Sequence, residues 1–195
     1  MARHEEPIGP KAAGKRTLPT ADIERWEIDP GRSRLVFVLR HLVISEIKGE
    51  LRRWGGTLYL DRAHPLLSNL EVWIDAATID TGEPERDAHI RSSEFLDVER
   101  FPRATFESGA IEERKGCAVV HGRLQLHGVT HDLTVEVAPY VLPARDGSPY
   151  RVHAKLDRQS FGLHWNQDLD VGGVVVADEI RISAELVLVR ANGDV

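Results

Sequence analysis

Arg86, Asp87, His89 and Arg91 fall within six positions of one another, in the stretch GEPERDAHIRSSEFLDVERFP that runs from Gly82 to Pro102. Two guanidinium groups and an imidazole at that density can converge on an anion, because arginine presents a planar fork of donors that matches phosphate or carboxylate oxygens. On a helix, Arg86 and His89 are three apart and share a face. Asp87 and Arg91 are four apart, the spacing of an intrahelical ion pair, and Asp87 is also placed to orient an arginine. The bland reading is a solvated helix laced by that pair, a contribution of only about a few tenths of a kcal/mol. Spacing alone does not separate the two.

The other chemistry-bearing residues are fewer. No G-x-S-x-G elbow, phosphate-cradling glycine loop or H-E-x-x-H pair occurs. His121, His127 and His131 in VVHGRLQLHGVTH match no strong metal spacing. They read as hairpin histidines bonded to backbone or water, and no metal or cofactor is expected. Cys117 follows a turn and reads as a half-buried spectator. His41 continues the apolar face of Leu35, Phe37 and Leu39. It is either a satisfied interior group or, near the mouth of a barrel, a donor to the polar head of a ligand. A competing reading is an enzyme acting on a prenyl or acyl substrate with His41, His89 or Asp87 as acid or base.

The elements that must position these groups follow a period of two. SRLVFVLRHL sets Leu35, Phe37, Leu39 and His41 against Val36, Val38 and Arg40. NLEVWIDAA, DLTVEVA, YRVHAKLDR and EIRISAELVLV alternate in the same way, with Gly-rich turns between them. One apolar and one wet face is the mark of antiparallel strands around a single interior. The expected fold is therefore all-β, an antiparallel barrel of about eight strands, a number that can enclose one small ligand. The apolar walls are Phe37, Leu39, Val72, Ile74, Leu186 and Leu188. Alternation does not distinguish a channel from a filled core. The one helix, over about Glu83 to Phe95 and capped by Thr81 or Asp80, would close the barrel mouth, with Phe95 and Phe101 anchoring it.

The chain has 195 residues, a net charge of -6 and one cysteine. That is ample for one core. The acidic balance without a basic run argues against nucleic acid and against an anionic membrane surface. No apolar run is long enough for stable membrane insertion. Residues 1–21 mix Pro, Gly and charge and read as a flexible tail, leaving 22–191 as the barrel domain. The opening residues lack the apolar run of a secretory signal, so a cytoplasmic protein is expected.

Several phrases in series are similar to the YceI-like, polyisoprenoid-binding family: WEIDPGRSRLVFVLRHL, IKGELRRWGGTLYLD, IDAATIDTGEPERDAHIRSSEFLDVERFPRATF, VHGRLQLHGVTHDLTVEV, LDRQSFGLHWN and ADEIRISAELVLV. The most diagnostic are R-D-x-H-I-R-S-x-x-F with its later F-P, and L-x-L-H-G-V-T. The resemblance implies an extended lipocalin-like barrel, often a homodimer, whose channel takes a long isoprenoid or fatty chain for binding and carriage, with no catalytic step. It maps the family's helical motif onto Arg86, Asp87 and His89. It maps the strand and hairpin histidines onto His41 and His127, and the late aromatic–amide pair onto Trp165 and Asn166. Leu51 and Trp54 stand where the family pattern tends toward phenylalanine, which implies a different pocket shape or chain length.

Overall fold

The computed structural model describes residues 23–41, 45–144, 147, 149–164 and 176–191, with His41 by its backbone alone. Twelve strands form one antiparallel sheet: β1 (Ile23–Ile28), β2 (Arg34–His41), β3 (Ser45–Leu51), β4 (Trp54–Asp61), β5 (Asn69–Asp75), β6 (Ile79–Asp80), β7 (Arg103–Arg114), β8 (Cys117–Leu126), β9 (Val129–Ala138), β10 (Tyr150–Asp157), β11 (Val176–Leu186) and β12 (Leu188–Arg190). A single α-helix among the described residues, α1 (Pro84–Arg91), sits between β6 and β7. No helix among them is long and apolar enough to cross a membrane.

The count of about eight strands is thus corrected to twelve. The surplus arises because β1–β2, β3–β4, β5–β6 and β11–β12 each continue along the same neighbours after a short break. β1 pairs with β12 and β4, and β2 with β11 and β3. β5 pairs with β4, and β6 with β3. The breaks lie beside one another and bond across. Asp29 donates its N–H to the Val187 carbonyl (2.8 Å), and Val187 donates to Ser33 Oγ (3.0 Å). Arg52 donates to the Thr78 carbonyl (3.3 Å) and Asp75 to the Arg53 carbonyl (2.9 Å). In the first break Asp29 organises the Pro30–Gly31 turn, accepting from the Gly31 N–H (2.9 Å) and from Arg32 Nε (2.7 Å). Through these joints the sheet curls until β11–β12 meets β1–β2.

Alternation sends Leu35, Phe37, Leu133, Val135, Ala154 and Leu156 into the interior, all buried. Two clusters line it. The upper one gathers Phe37, Phe106, Val120, Leu124, Val135 and Phe161; the lower one holds Trp26, Ile28, Trp54, Leu60, Tyr150 and Leu188. Phe37 lies on Gly49 so closely that a Cβ there would stand 2.3 Å from its ring, so larger residues at position 49 would push Phe37 out of place.

Beneath the lower cluster Glu24 ties three strands together. It accepts from Trp26 Nε1 (3.0 Å) and Arg62 (2.6 Å), and pairs with Arg190 (3.4 Å). The Arg62 hydrogen bond, aided by Trp26 and the two guanidinium charges, holds its carboxyl below the ordinary value against the upward push of burial. A carboxyl depressed in the folded state stabilises the fold at neutral pH and loses that contribution as pH falls through its folded value. Glu24→Gln is therefore expected to cost about 1 kcal/mol at pH 7 and nothing once the carboxyl is protonated. Urea titrations at neutral and strongly acidic pH check this.

Candidate functional site: a cavity under the helix

The upper half of the barrel holds a cavity of about 230 Å³. Its walls are hydrocarbon from the strands, including Phe37, Leu39, Ile74, Leu124, Leu156 and Ile180. Its cover comes from α1 and the turn after it, through Ile90, Phe95 and Leu96. Phe95, expected as an anchor, thus faces the cavity. Arg86, His89 and Arg158 are the charged or titratable groups on its lining.

Helix α1 spans Pro84–Arg91, shorter than the expected Glu83 to Phe95. Glu83 takes the N-cap position without a side-chain bond, and Pro84 opens the first turn, where its missing N–H costs nothing. Neither Asp80 nor Thr81 caps the helix. Thr81 is instead the hub of the site. The buried Asp87 carboxylate accepts from the Thr81 N–H (2.9 Å) and hydroxyl (2.6 Å). The same hydroxyl accepts from Arg86 Nε (2.8 Å), and Arg86 Nη2 donates to the Thr81 carbonyl (3.0 Å). Asp87 therefore orients Arg86, but through Thr81. The other terminal nitrogen, Nη1, donates to no described residue. His89 Nε2 lies 3.0 Å from the Glu94 carboxylate.

Two features of the expected cluster are corrected. Asp87 and Arg91 form no ion pair, because Asp87 is engaged by Thr81 and Arg91 donates to the Ile79 carbonyl (3.1 Å). Arg91 and Asp87 accordingly lie behind the cavity wall, and only Arg86 and His89 of the four line it. Asp87→Ala is expected to leave both Thr81 donors unmet and to lower stability by about 2 kcal/mol, with Asp87→Asn recovering part of that in urea unfolding.

The remaining candidates are dispersed. Val72 packs on both clusters and Leu186 on the lower one, and neither lines the cavity. His127, at the β8–β9 turn, has Nδ1 3.2 Å from the Phe161 carbonyl and its ring edge-on to Phe101. His121 faces Thr134 across the sheet (3.1 Å), and His131 stands edge-on to Phe161. No group of three or more His, Cys, Asp or Glu among the described residues is placed to hold a metal. Cys117 is half-buried. His41 closes β2, opposite Ser45 and Val176. Trp165 and Asn166 lie outside the described residues.

Two residues on which the site depends carried little signal. Thr81 precedes Asp87 by six positions, outside the helical spacings that reveal a partner. Arg158 sits in LDRQSFG, in what reads as a strand end, yet its side chain is fully buried. It donates to the carbonyls of Ala177 (3.1 Å), Val176 (3.1 Å) and Leu163, and pairs with Asp178 (3.0 Å).

Known proteins share this arrangement of strands. Protein YceI of Salmonella newport is 37% identical over 122 residues, which are 62% of this chain and 64% of that protein. The Salmonella arizonae protein matches to the same extent. The matched stretch thus spans slightly under two thirds of these relatives' length. Among solved structures, BcnA of Burkholderia cenocepacia superposes with a TM-score of 0.68 at 23% identity, over 82% of this chain and 98% of that one. A polyisoprenoid binding domain from Saccharophagus degradans, implicated in plant cell wall breakdown, gives 0.62 at 15% identity, over 87% and 100%. At such identities the structures show the shared fold. The family described as YceI-like domain matches residues 26–188, nearly every strand and the whole of the cavity's cover, and the chain belongs to that family.

Proposed function

We propose that the protein binds an isoprenoid or related amphiphilic lipid, with the hydrocarbon in the barrel cavity and the polar head at Arg86 and His89, and serves as its carrier or store. The observation that carries this reading is the cavity itself: an unfilled hydrocarbon interior whose cover contributes an oriented guanidinium and an imidazole. Enclosing an aliphatic chain contributes about 0.8 kcal/mol per CH₂, enough after association costs for micromolar binding from a modest chain. The Saccharophagus domain of the same fold is a polyisoprenoid binding domain by name, which supports the same ligand class. Phe37, Leu39 and Ile74 are the wall residues of this proposal. The homodimer implied by the family resemblance is its proposed assembly. We assign no catalytic step.

The test is to extract purified protein with organic solvent and identify what is released, then to incubate it with prenyl lipids and record native mass spectra. A long-chain species at near-stoichiometric yield, or a bound prenyl lipid, is the expected result. Bare protein in every spectrum overturns the reading.

A further inference from the structure

We infer that the cavity is blind and short, that it encloses about two isoprene units, and that Trp54 with Trp26 and Tyr150 forms the floor that sets this length. The inference rests on the binding reading above. The lining reaches down to Leu35, Leu51, Ile74 and Ile182 and stops there. Leu35 belongs to the lower cluster, and the other three pack directly on it. Trp26, Trp54, Leu60 and Tyr150 of that cluster are all buried, and none of them lines the cavity. Trp54 stands opposite Ile74 in the β4–β5 register, beside a wall residue without itself lining the cavity.

A second hollow shares no lining residue with the cavity. It is lined by Val141, Leu142, Pro143 and Ala144 together with Tyr150 and Leu188, two members of the lower cluster. Tyr150 is held in place by its hydroxyl, which donates to the Val141 carbonyl (3.1 Å). The lower cluster thus borders the cavity through Leu35 and the second hollow through Tyr150 and Leu188, and on this inference a chain entering under α1 meets a closed end.

Volume converts this into a length. A dry apolar cavity of about 150 Å³ takes the six carbons of benzene, or roughly 25 Å³ per carbon. On that scale the cavity of about 230 Å³ encloses about nine carbons. Each enclosed carbon raises affinity about fourfold. A carbon beyond the limit stays at the wet mouth and adds little.

The experiment is a calorimetric series on the full chain with dimethylallyl, geranyl, farnesyl and geranylgeranyl monophosphates, kept below their aggregation limits. Affinity is expected to rise at least about a hundredfold from C5 to C10 and to change less than about threefold from C15 to C20. In Trp54→Ala the plateau is expected to move out by about one isoprene unit; Trp54→Leu serves if the alanine variant does not fold. Affinity that climbs steadily through C20, or a plateau unmoved in a folded floor variant, overturns the length limit and leaves the binding reading standing. No binding at any length removes both.

Discussion

Leu39→Arg is expected to lower affinity for a prenyl chain at least a hundredfold in a protein that still folds. Leu39 lines the cavity from β2, between Ile47 of β3 and Ile180 of β11 in register. It lies two residues from the strand's upper end. That position gives a long cationic side chain a way out, since arginine can lay its methylenes along the wall and hold its guanidinium at the mouth. The empty protein therefore tolerates the change. The complex does not, because a bound chain occupies the same route and strips water from the charge. Residual desolvation of an unpaired buried ion is several kcal/mol, and each 1.4 kcal/mol is tenfold in affinity. Val38→Glu is the control. Val38 sits on the opposite face of the same strand, between Lys48 and Arg181 in register, where a carboxylate is welcome and binding is expected to change less than about twofold. Circular dichroism and calorimetry on both variants decide the matter. A folded Leu39→Arg protein that binds as tightly as the parent places the lipid elsewhere.

What alternation revealed and what it hid follow from the same geometry. Side chains on a strand face alternate sides regardless of where the strand sits in the sheet, so Leu35, Phe37, Val135 and Leu156 could be assigned inward without knowing their neighbours. The Pro30–Gly31 turn and the break at Arg52–Arg53, next to Gly55–Gly56, were legible from their turn residues. The breaks at Ala76–Thr78 and Val187 were hidden because they are set by tertiary pairing between segments far apart in sequence. Height along the barrel was hidden too. Val72 and Leu186 have the inward parity of Phe37 and Leu39, yet they lie against filled core rather than open cavity. Parity reports a face, not a level.

The polar part of the site divides along a similar line. Arg86 and His89 were visible because an i, i+3 pair shares one helical face, and α1 carries both to the cavity. Asp87 and Arg91 satisfy an equally good helical spacing but are drawn apart by Thr81 and by the Ile79 carbonyl, which approach from β6 and the segment after it. Backbone acceptors carry no sequence signature, so an arginine bound to them looks like any surface arginine. Arg158 is the extreme case, and it yields the largest stability effect expected in the molecule.

Arg158→Met is expected to destabilise the protein by about 3–5 kcal/mol, because three backbone carbonyls each lose a hydrogen bond from a charged donor. The guanidinium is 0% exposed and joins the turn after β10 to the start of β11 through the carbonyls of Leu163, Val176 and Ala177. Methionine fills much of the volume but offers no donor, so each carbonyl must find water in a place built to exclude it or remain unmet. Asp178 loses its partner at less cost, because its side chain is 54% exposed. At about 2–4 °C per kcal/mol for a chain of this size, the melting temperature falls by about 6–20 °C. Arg158→Lys is expected to recover less than half, since one ammonium cannot reproduce a rigid planar fork reaching several acceptors at once. Arg25→Ala supplies the contrast: its ion pair with Glu27 is formed between side chains 58% and 46% exposed and contributes about 1 kcal/mol or less. Hydrogen exchange distinguishes a local seam from a global weakness, because loss of the seam first unprotects the amides of 158–163 and 176–178. An Arg158→Met protein as stable as the Arg25→Ala protein would mean that those carbonyls are satisfied without the guanidinium, and that the charge is buried there for a reason other than holding β11 in place.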